Sequence, residues 1–236
     1  MFSLKKTAKG VADAMYPPVC VHCHTRIPLQ EVWLCGDCYE KLNYIPEQRC
    51  PKCGYPTEEA ECSNCWENHY VFTQAQSVFL YEGSARSMVQ ELKYNGFTHI
   101  ADWFANQMYK LIFEDKTMEN IDFVTAVPLH RVRRRERGFN QSDLIALSLA
   151  DKLNKPFTDK ALIRKEYTVS QTILDGKSRR KNLRDAFKVG RTDLKDKSIL
   201  LIDDVFTTGT TVNEAARTLK QAGVKDVYVI TACHGL

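Results

Sequence analysis

The sequence contains no long hydrophobic run. None of its apolar stretches approaches the ~20 residues that a helix needs to cross a bilayer, so we expect no integral membrane segment. The N-terminus is basic, but residues 7–10 interrupt the apolar core that a secretory signal requires, which favours a cytoplasmic protein. A strong charge excess is also missing, because the net charge of the 236-residue chain is +4. Total charge alone therefore gives no reason to expect a nucleic acid partner.

Cysteine is scarce outside one short region. Eight of the nine cysteines lie within residues 20–65, and the remaining one is Cys233. The eight form four Cys-x-x-Cys pairs: Cys20/Cys23, Cys35/Cys38, Cys50/Cys53 and Cys62/Cys65. Two such pairs supply the four thiolates of a tetrahedral zinc site, whereas a disulfide framework needs an oxidising compartment that nothing in the sequence indicates. We predict two structural zinc sites with four thiolate ligands each.

The way in which the four pairs combine is less constrained. Short gaps separate the first pair from the second and the third from the fourth, which favours two sequential sites. An interleaved pairing stays open. Three histidines in this region are alternative ligands, but the eight thiols make them more typical of bystanders: His22, His24 and His69. Because closed four-thiolate sites leave no open coordination position, we expect no catalysis at these metals.

The pattern of apolar residues divides the chain in two. Residues 1–70 are predicted to hold a short N-terminal helix and a cysteine-rich region whose folding energy comes from metal. Residues 71–236 alternate between strand-like and helix-like segments. Strands are predicted at 77–81, 123–127, 199–202 and 227–232, and helices at 84–94, 98–113, 144–153 and 212–219. This alternation predicts an α/β domain with a mostly parallel sheet and helices on both faces. Cys233, which follows the last strand, is predicted to be a small buried hydrophobe.

Two acids follow the most apolar strand of the chain. Asp203 and Asp204 come directly after residues 199–202, and a loop of threonines around Gly209 leads from them into a helix. In open α/β sheets, ligands bind beyond the carboxyl ends of the strands. The carboxylates can accept bonds from ribose hydroxyls or bind magnesium, and the loop amides at the helix N-terminus favour a phosphate. Together they predict a site for a ribose 5′-phosphate.

This stretch resembles the phosphoribosyl pyrophosphate (PRPP) signature of type I phosphoribosyltransferases. The resemblance implies that Asp203 and Asp204 hold the ribose hydroxyls and that Val205 and Phe206 line the sugar. It further implies magnesium bound with PRPP, and a cradle for the 5′-phosphate made by Thr207, Thr208, Gly209, Thr210 and Thr211. The rival phosphate motif, a Walker loop ending at residues 176–178, is rejected because Gln171 stands where its first glycine belongs.

The positive charge is concentrated in two segments. Residues 130–137 hold five arginines and one glutamate, and residues 160–191 hold ten basic and three acidic residues. The first segment follows the predicted strand 123–127, so it faces the same crevice as Asp203. In type I phosphoribosyltransferases this loop takes the pyrophosphate, and here it would be formed by Leu129, His130 and Arg131. The second segment is predicted to be a flexible basic loop, with Lys177, Arg179, Arg180 and Lys181 as candidate contacts for pyrophosphate or nucleic acid.

The whole arrangement is similar to the ComF family, which combines a double zinc ribbon with a phosphoribosyltransferase-like domain. The residues that carry this similarity are the cysteine pairs, Pro128-Leu129, residues 137–141 (Arg-Gly-Phe-Asn-Gln), Gln171, Arg179, Asn182 and Phe187. The resemblance implies a link to uptake of single-stranded DNA in natural transformation, with single-stranded DNA and competence machinery proteins as candidate partners.

Three hypotheses for the function follow. The first is a PRPP-dependent transferase that releases pyrophosphate. The second is a non-catalytic module that senses PRPP and binds nucleic acid, in which Tyr44, Tyr55, Trp66 and Tyr70 could stack on bases, although at least two of them are expected to form the ribbon core. The third uses the zinc ribbons only as a protein-docking surface. The acidic excess of residues 1–70 makes the basic loops better candidates for DNA than the ribbons.

Overall fold

The computed structural model describes residues 18–28, 33–59, 61–114, 116–118, 120–165, 186–191 and 193–236. The helices are α1 (Gly36–Glu40), α2 (Ser63–Asn68), α3 (Gly83–Tyr94), α4 (Ile100–Glu114), α5 (Arg131–Arg137), α6 (Gln141–Lys152) and α7 (Thr210–Gln221). The strands are β1 (Gln74–Leu80), β2 (Phe123–Ala126), β3 (Leu162–Arg164), β4 (Phe187–Val189), β5 (Ser198–Phe206) and β6 (Asp226–His234). Within the described ranges, every helix is too short or too polar to cross a membrane.

Four strands form one parallel sheet in the order β1-β6-β5-β2. β2 lies beside β5 with Ala126 opposite Ile202, so the carboxyl ends of both strands meet at the same edge. β3 and β4 form a separate antiparallel pair. The central strands are built from β-branched and other apolar residues that are buried on both faces, as a covered parallel sheet requires. The predicted α/β architecture is confirmed.

A hydrophobic core lies on each face of the sheet. On one face, α3, α4 and α6 contribute Met88, Phe104 and Leu149, which pack against Ile202 of β5. The other core is formed with α7, whose Val212, Ala215 and Leu219 pack with Leu201. Adjacent residues of β5 therefore enter different cores, which fixes the register of this strand relative to both layers.

Each cysteine centre contributes to one of these two cores. Cys20 and Cys38 pack in the core of α3 and α4, whereas Cys50 and Cys53 pack in the core of α7. The second centre comes especially close to the sheet, because the Ala75 amide of β1 donates to the Lys52 carbonyl at 2.8 Å. The metal-binding region is thus joined to the α/β domain by shared packing.

Strand β5 is longer than its apolar sequence predicts. The hydrophobic run ends at Ile202, but the strand continues through both acids to Phe206. It does so because β6 pairs with it along this stretch, with Asp203 opposite Thr231 and Phe206 opposite His234. Strand pairing depends on the backbone, so polar side chains at the end of a sheet do not stop it. The acids are consequently held on a rigid strand.

Candidate functional site

The eight paired cysteines form two clusters, and the ligand atoms within each lie within 4.8 Å of one another. The clusters are Cys20, Cys23, Cys35 and Cys38 (the first centre), and Cys50, Cys53, Cys62 and Cys65 (the second centre). The predicted sequential pairing is confirmed, and the interleaved alternative is wrong.

The sulfur positions fit tetrahedral zinc. The Sγ atoms of Cys23 and Cys35 lie 3.7 Å apart, and those of Cys53 and Cys62 also lie 3.7 Å apart. A tetrahedron with Zn–S bonds of ~2.3 Å has sulfur–sulfur edges of about 3.8 Å. Both centres therefore have the ligand type, number and spacing of closed structural sites.

The two centres are built by the same local structure. In each, one cysteine pair forms a tight turn, in which the amide of His24 donates to the carbonyl of Cys20 and that of Gly54 to Cys50, both at 2.9 Å. The other pair starts a short helix, α1 or α2. Gly54 is required at its position, because its φ is +71° and a Cβ there would lie 2.9 Å from the Ala75 carbonyl oxygen.

The acids at the end of β5 are held by side chains from α6 and α3. The Ser142 hydroxyl donates to Oδ1 of Asp203 at 3.0 Å, and the Gln141 amide donates to Oδ2 of Asp204 at 3.1 Å. Lys93, near the end of α3, forms an ion pair with Asp204, which is only 6% exposed. Ion pairing and hydrogen bonding keep this buried carboxylate in place.

Burial changes the protonation of Asp203. Desolvation and the negative charge of Asp204 together raise the pKa of Asp203 to about 7, although the Ser142 hydrogen bond opposes the rise. A hydroxyl donor or a cation that reached this carboxylate would favour its charged form and lower the pKa again. The acid pair is therefore electrostatically responsive to a ligand.

The threonine loop begins α7 at the same edge. Gly209 is the N-cap residue, with a left-handed φ of 66°, and it is buried while Thr207 and Thr208 are exposed. The hydroxyls of Thr208 and Thr210 lie 2.8 Å apart. Exposed hydroxyls, loop amides and the N-terminus of a three-turn helix together form a suitable environment for a phosphate.

The loop after β2 leaves the sheet at the same edge as β5, since the Val127 amide donates to the Ile202 carbonyl at 2.9 Å. Leu129 and His130 are partly buried, and the His130 imidazole caps α5 by accepting from the Val132 amide at 3.3 Å. The arginines that follow in α5 are exposed from Arg131 onwards, except Arg137, which is partly buried. This segment thus presents most of its positive charge to solvent.

Arg137 connects the basic segment to the acids. Its guanidinium donates to the side-chain oxygen Oε1 of Gln141 at 2.8 Å, and the side-chain amide nitrogen of the same Gln141 donates to Asp204. The guanidinium also lies over the ring of Tyr94, at 4.9 Å from its centroid. Tyr94, Arg133 and Arg137 line a cleft of about 490 Å³ that also includes Lys93.

Both halves of the chain match known domain families. Residues 11–67 match the double zinc ribbon domain, and residues 142–235 match the phosphoribosyl transferase domain. Competence protein F of Haemophilus influenzae is 27% identical over 89% of this chain and 94% of its own length. With both domains matched, the chain is similar to ComF-family proteins over most of its length. It is also 27% identical to DNA utilization protein YhgH of Escherichia coli K12, over 93% of this chain and 98% of the relative. It is 29% identical to competence protein ComFC of Streptococcus pneumoniae, over 82% of this chain and 84% of the relative.

Several residues of the candidate site have no signal in the local sequence. Lys93 and Ser142 contact the acids from more than 60 positions away, and only the fold brings them together. Tyr70 is buried in the core that contains Cys50 and Cys53, as expected for a ribbon-core residue, and its hydroxyl also contacts the threonine loop. Trp66, by contrast, is 77% exposed. Phe206 is buried beneath the loop rather than at its surface.

Other predicted residues fall outside the described residues. They are the N-terminal segment, Gln171, Asn182 and the basic positions Lys177, Arg179, Arg180 and Lys181. Cys233 is fully buried, as predicted, and burial raises the pKa of its thiol.

Proposed function

We propose that this protein binds PRPP, or another ribose 5-phosphate ligand, at the carboxyl edge of its parallel sheet. The observation that carries the proposal is the juxtaposition of the acids of β5 with the threonine loop that begins α7. Carboxylates accept bonds from vicinal hydroxyls, and a helix N-terminus attracts a phosphate, so one sugar phosphate satisfies both. The match to the phosphoribosyl transferase domain supports the same ligand.

Each part of the site has a role in this proposal. Asp203 and Asp204 accept hydrogen bonds from the ribose hydroxyls, and Val205 lies beside the sugar. The 5′-phosphate is bound by Thr207, Thr208, Gly209, Thr210 and Thr211. Phe206 supports the loop from the core instead of touching the ligand. The pyrophosphate is held by the loop of Leu129, His130 and Arg131.

Magnesium fits this site in the proposal. Two adjacent carboxylates, together with diphosphate oxygens of the ligand, form the all-oxygen ligand set that this cation prefers. When bound, it neutralises charge on the diphosphate and orients it. Among the described residues, Lys93 and Gln141 both bind Oδ2 of Asp204, and Ser142 binds Oδ1 of Asp203. The other oxygen of each carboxylate can therefore accept further bonds.

Such a site suits transfer of the phosphoribosyl group. A nucleophile would form a bond to the anomeric carbon as the bond to pyrophosphate breaks, and pyrophosphate would leave with the electron pair. The chain would contribute positioning and charge stabilisation, with no covalent intermediate on the protein.

Turnover is tested by incubating the zinc-loaded protein with magnesium, PRPP and a panel of bases and amines, and measuring released pyrophosphate. The matched control is the Asp203→Asn/Asp204→Asn variant. Release by the wild type that the variant loses supports the transferase. Binding of PRPP without release by any acceptor would favour a sensing role instead.

The second candidate function is a PRPP-sensing module that binds single-stranded nucleic acid. Exposed arginines on α5 and a cleft with the 68% exposed Tyr94 combine cations with a stacking surface. The names of the relatives, which refer to competence and DNA utilization, agree with this role. Affinity for a labelled single-stranded oligonucleotide should fall steeply with salt, because phosphate contacts release counterions. An affinity indifferent to salt would exclude it.

A further inference from the structure

Hydrogen bonds link the second cysteine centre to the threonine loop. The Asn64 amide of α2 donates to Sγ of Cys53 at 3.8 Å. The Tyr70 hydroxyl lies 3.1 Å from Oδ1 of Asn64 and 2.9 Å from the carbonyl oxygen of Thr208. A ligand of the centre and the backbone of the loop are therefore connected through two side chains.

Packing reinforces this connection. Tyr70 is only 8% exposed, and its ring stacks on Phe72 with centroids 4.8 Å apart. Gly209 packs closely against the Tyr70 and Phe206 rings, since a Cβ at this position would lie 2.7 Å from the Tyr70 ring and 2.4 Å from the Phe206 ring. The position of the Tyr70 ring therefore determines where the turn at Gly209 can lie.

A backbone contact fixes the start of α7 in the same way. The Val71 amide donates to Oδ1 of Asn213, in the first turn of α7, at 2.8 Å. The amide of Asn213 in turn donates to the Gly209 carbonyl at 2.8 Å. The segment that leaves the second centre thus holds both the loop and the helix that follows it.

The first centre makes different contacts. Its Cys38 carbonyl accepts from the Ser84 hydroxyl of α3 at 2.9 Å, and its residues pack in the core of α3 and α4. The two centres have the same ligand set, but among the described residues only the second is hydrogen-bonded towards the threonine loop. The chain therefore contains its own control for any effect of zinc on the site.

We propose that Asn64 and Tyr70 are positioning residues that couple the second cysteine centre to the 207–211 loop. Zinc at the second centre fixes α2, α2 fixes Tyr70 through Asn64, and Tyr70 holds the loop in the shape that binds a 5′-phosphate. The second ribbon is then part of the ligand site. The effect on ligand affinity rests on the proposed function, whereas the coupling itself does not.

The coupling is tested without ligand by amide NMR spectra of the full-length, zinc-loaded protein. Asn64→Ala removes a side chain that bonds to Tyr70, Asn68 and Cys53 rather than to the loop. The proposal expects the Thr208, Gly209 and Thr210 resonances to shift in Asn64→Ala and Tyr70→Phe, with two zinc ions retained per chain. It expects no shift in Tyr109→Phe, which alters a tyrosine that packs on Phe113. Unchanged loop resonances in Asn64→Ala would overturn it.

A second test removes one metal centre at a time and follows the same NMR resonances. Cys65→Ser, which disrupts the second centre, should shift the loop resonances, and Cys23→Ser, which disrupts the first, should leave them in place. Equal shifts in both variants would contradict a specific link.

Titration with magnesium and PRPP then measures how the coupling affects the affinity for the ligand. Losing one hydrogen bond should weaken binding about three- to tenfold in Tyr70→Phe and Asn64→Ala, with Tyr109→Phe at the wild-type value. Wild-type affinity in both would refute the effect on binding. If the wild type binds no PRPP, the proposed function fails, while the NMR spectra still decide the coupling.

Discussion

Replacing Gly209 by alanine should cost far more stability than replacing a comparable glycine elsewhere. Two terms add at this position. The left-handed φ of 66° is unfavourable for alanine by about 1–2 kcal/mol. The new Cβ would also meet the rings of Phe206 and Tyr70 at 2.4 and 2.7 Å, and overpacking of this kind costs about 1–3 kcal/mol. We expect a total loss of about 2–5 kcal/mol.

Gly138 provides the matched control. It ends α5 with a φ of +80°, but a Cβ there meets nothing within 4 Å. Gly138→Ala should therefore show only the backbone cost, about 1–2 kcal/mol. The assay is urea unfolding of both zinc-loaded variants beside the wild type, read from the midpoints at unchanged m-value. Equal losses in the two variants would refute the close contact between the loop and the aromatic residues.

Three further predictions concern the charged groups. Lys93→Ala should destabilise the protein by about 3–5 kcal/mol in the same urea assay, since it leaves the buried Asp204 carboxylate without its ion pair. Lys152→Ala should cost less than ~1 kcal/mol, because its partner Asp102 is 61% exposed. The pKa of Asp203 is raised to about 7 from ~3.9 in the unfolded chain, so its contribution to the free energy of unfolding should decrease as pH rises through this window. Urea unfolding at several pH values should therefore show a weaker dependence of the unfolding free energy on pH in Asp203→Asn than in the wild type. Arg133→Glu combined with Arg135→Glu should weaken oligonucleotide binding and reduce the salt dependence by about two counterions, measured by fluorescence anisotropy.

The contrary results are equally specific. Equal losses for the two lysine variants would show that the ion pair at the end of β5 is as solvated as a surface pair. A stability that rises with pH between 4 and 7, after subtraction of the Asp203→Asn profile, would reverse the sign of its pKa shift. If the Arg133→Glu/Arg135→Glu variant bound the oligonucleotide with wild-type affinity, α5 would not be part of the nucleic acid-binding surface.

Local patterns predicted much of this fold. The apolar periodicity of residues 84–94 and 98–113 predicted α3 and α4 to within two residues at each end, because amphipathic helices bury one continuous stripe. The spacing of the cysteine pairs predicted both zinc centres, since four thiolates must reach one ion. These features depend on neighbours in the sequence, so the sequence alone reveals them.

The remainder of the site depends on contacts between distant segments. Lys93 looked like an ordinary helix residue, and its role appears only when α3 packs beside β5. Tyr70 was one of four aromatic residues near the ribbon, and its contact with Thr208 spans 138 positions. No local pattern encodes such contacts. The end of β5 was underestimated for a similar reason, because its last residues are held by pairing with β6 rather than by hydrophobicity.

The account depends most on the assignment of a phosphoribosyl ligand to the acids of β5. Calorimetric titration of the zinc-loaded protein with magnesium and PRPP tests it directly, with the Asp203→Asn/Asp204→Asn variant in parallel. We predict one PRPP bound per chain by the wild type and at least tenfold weaker binding by the variant, with two zinc ions retained in both. Equal affinity in the two proteins, or no binding by the wild type, would contradict it.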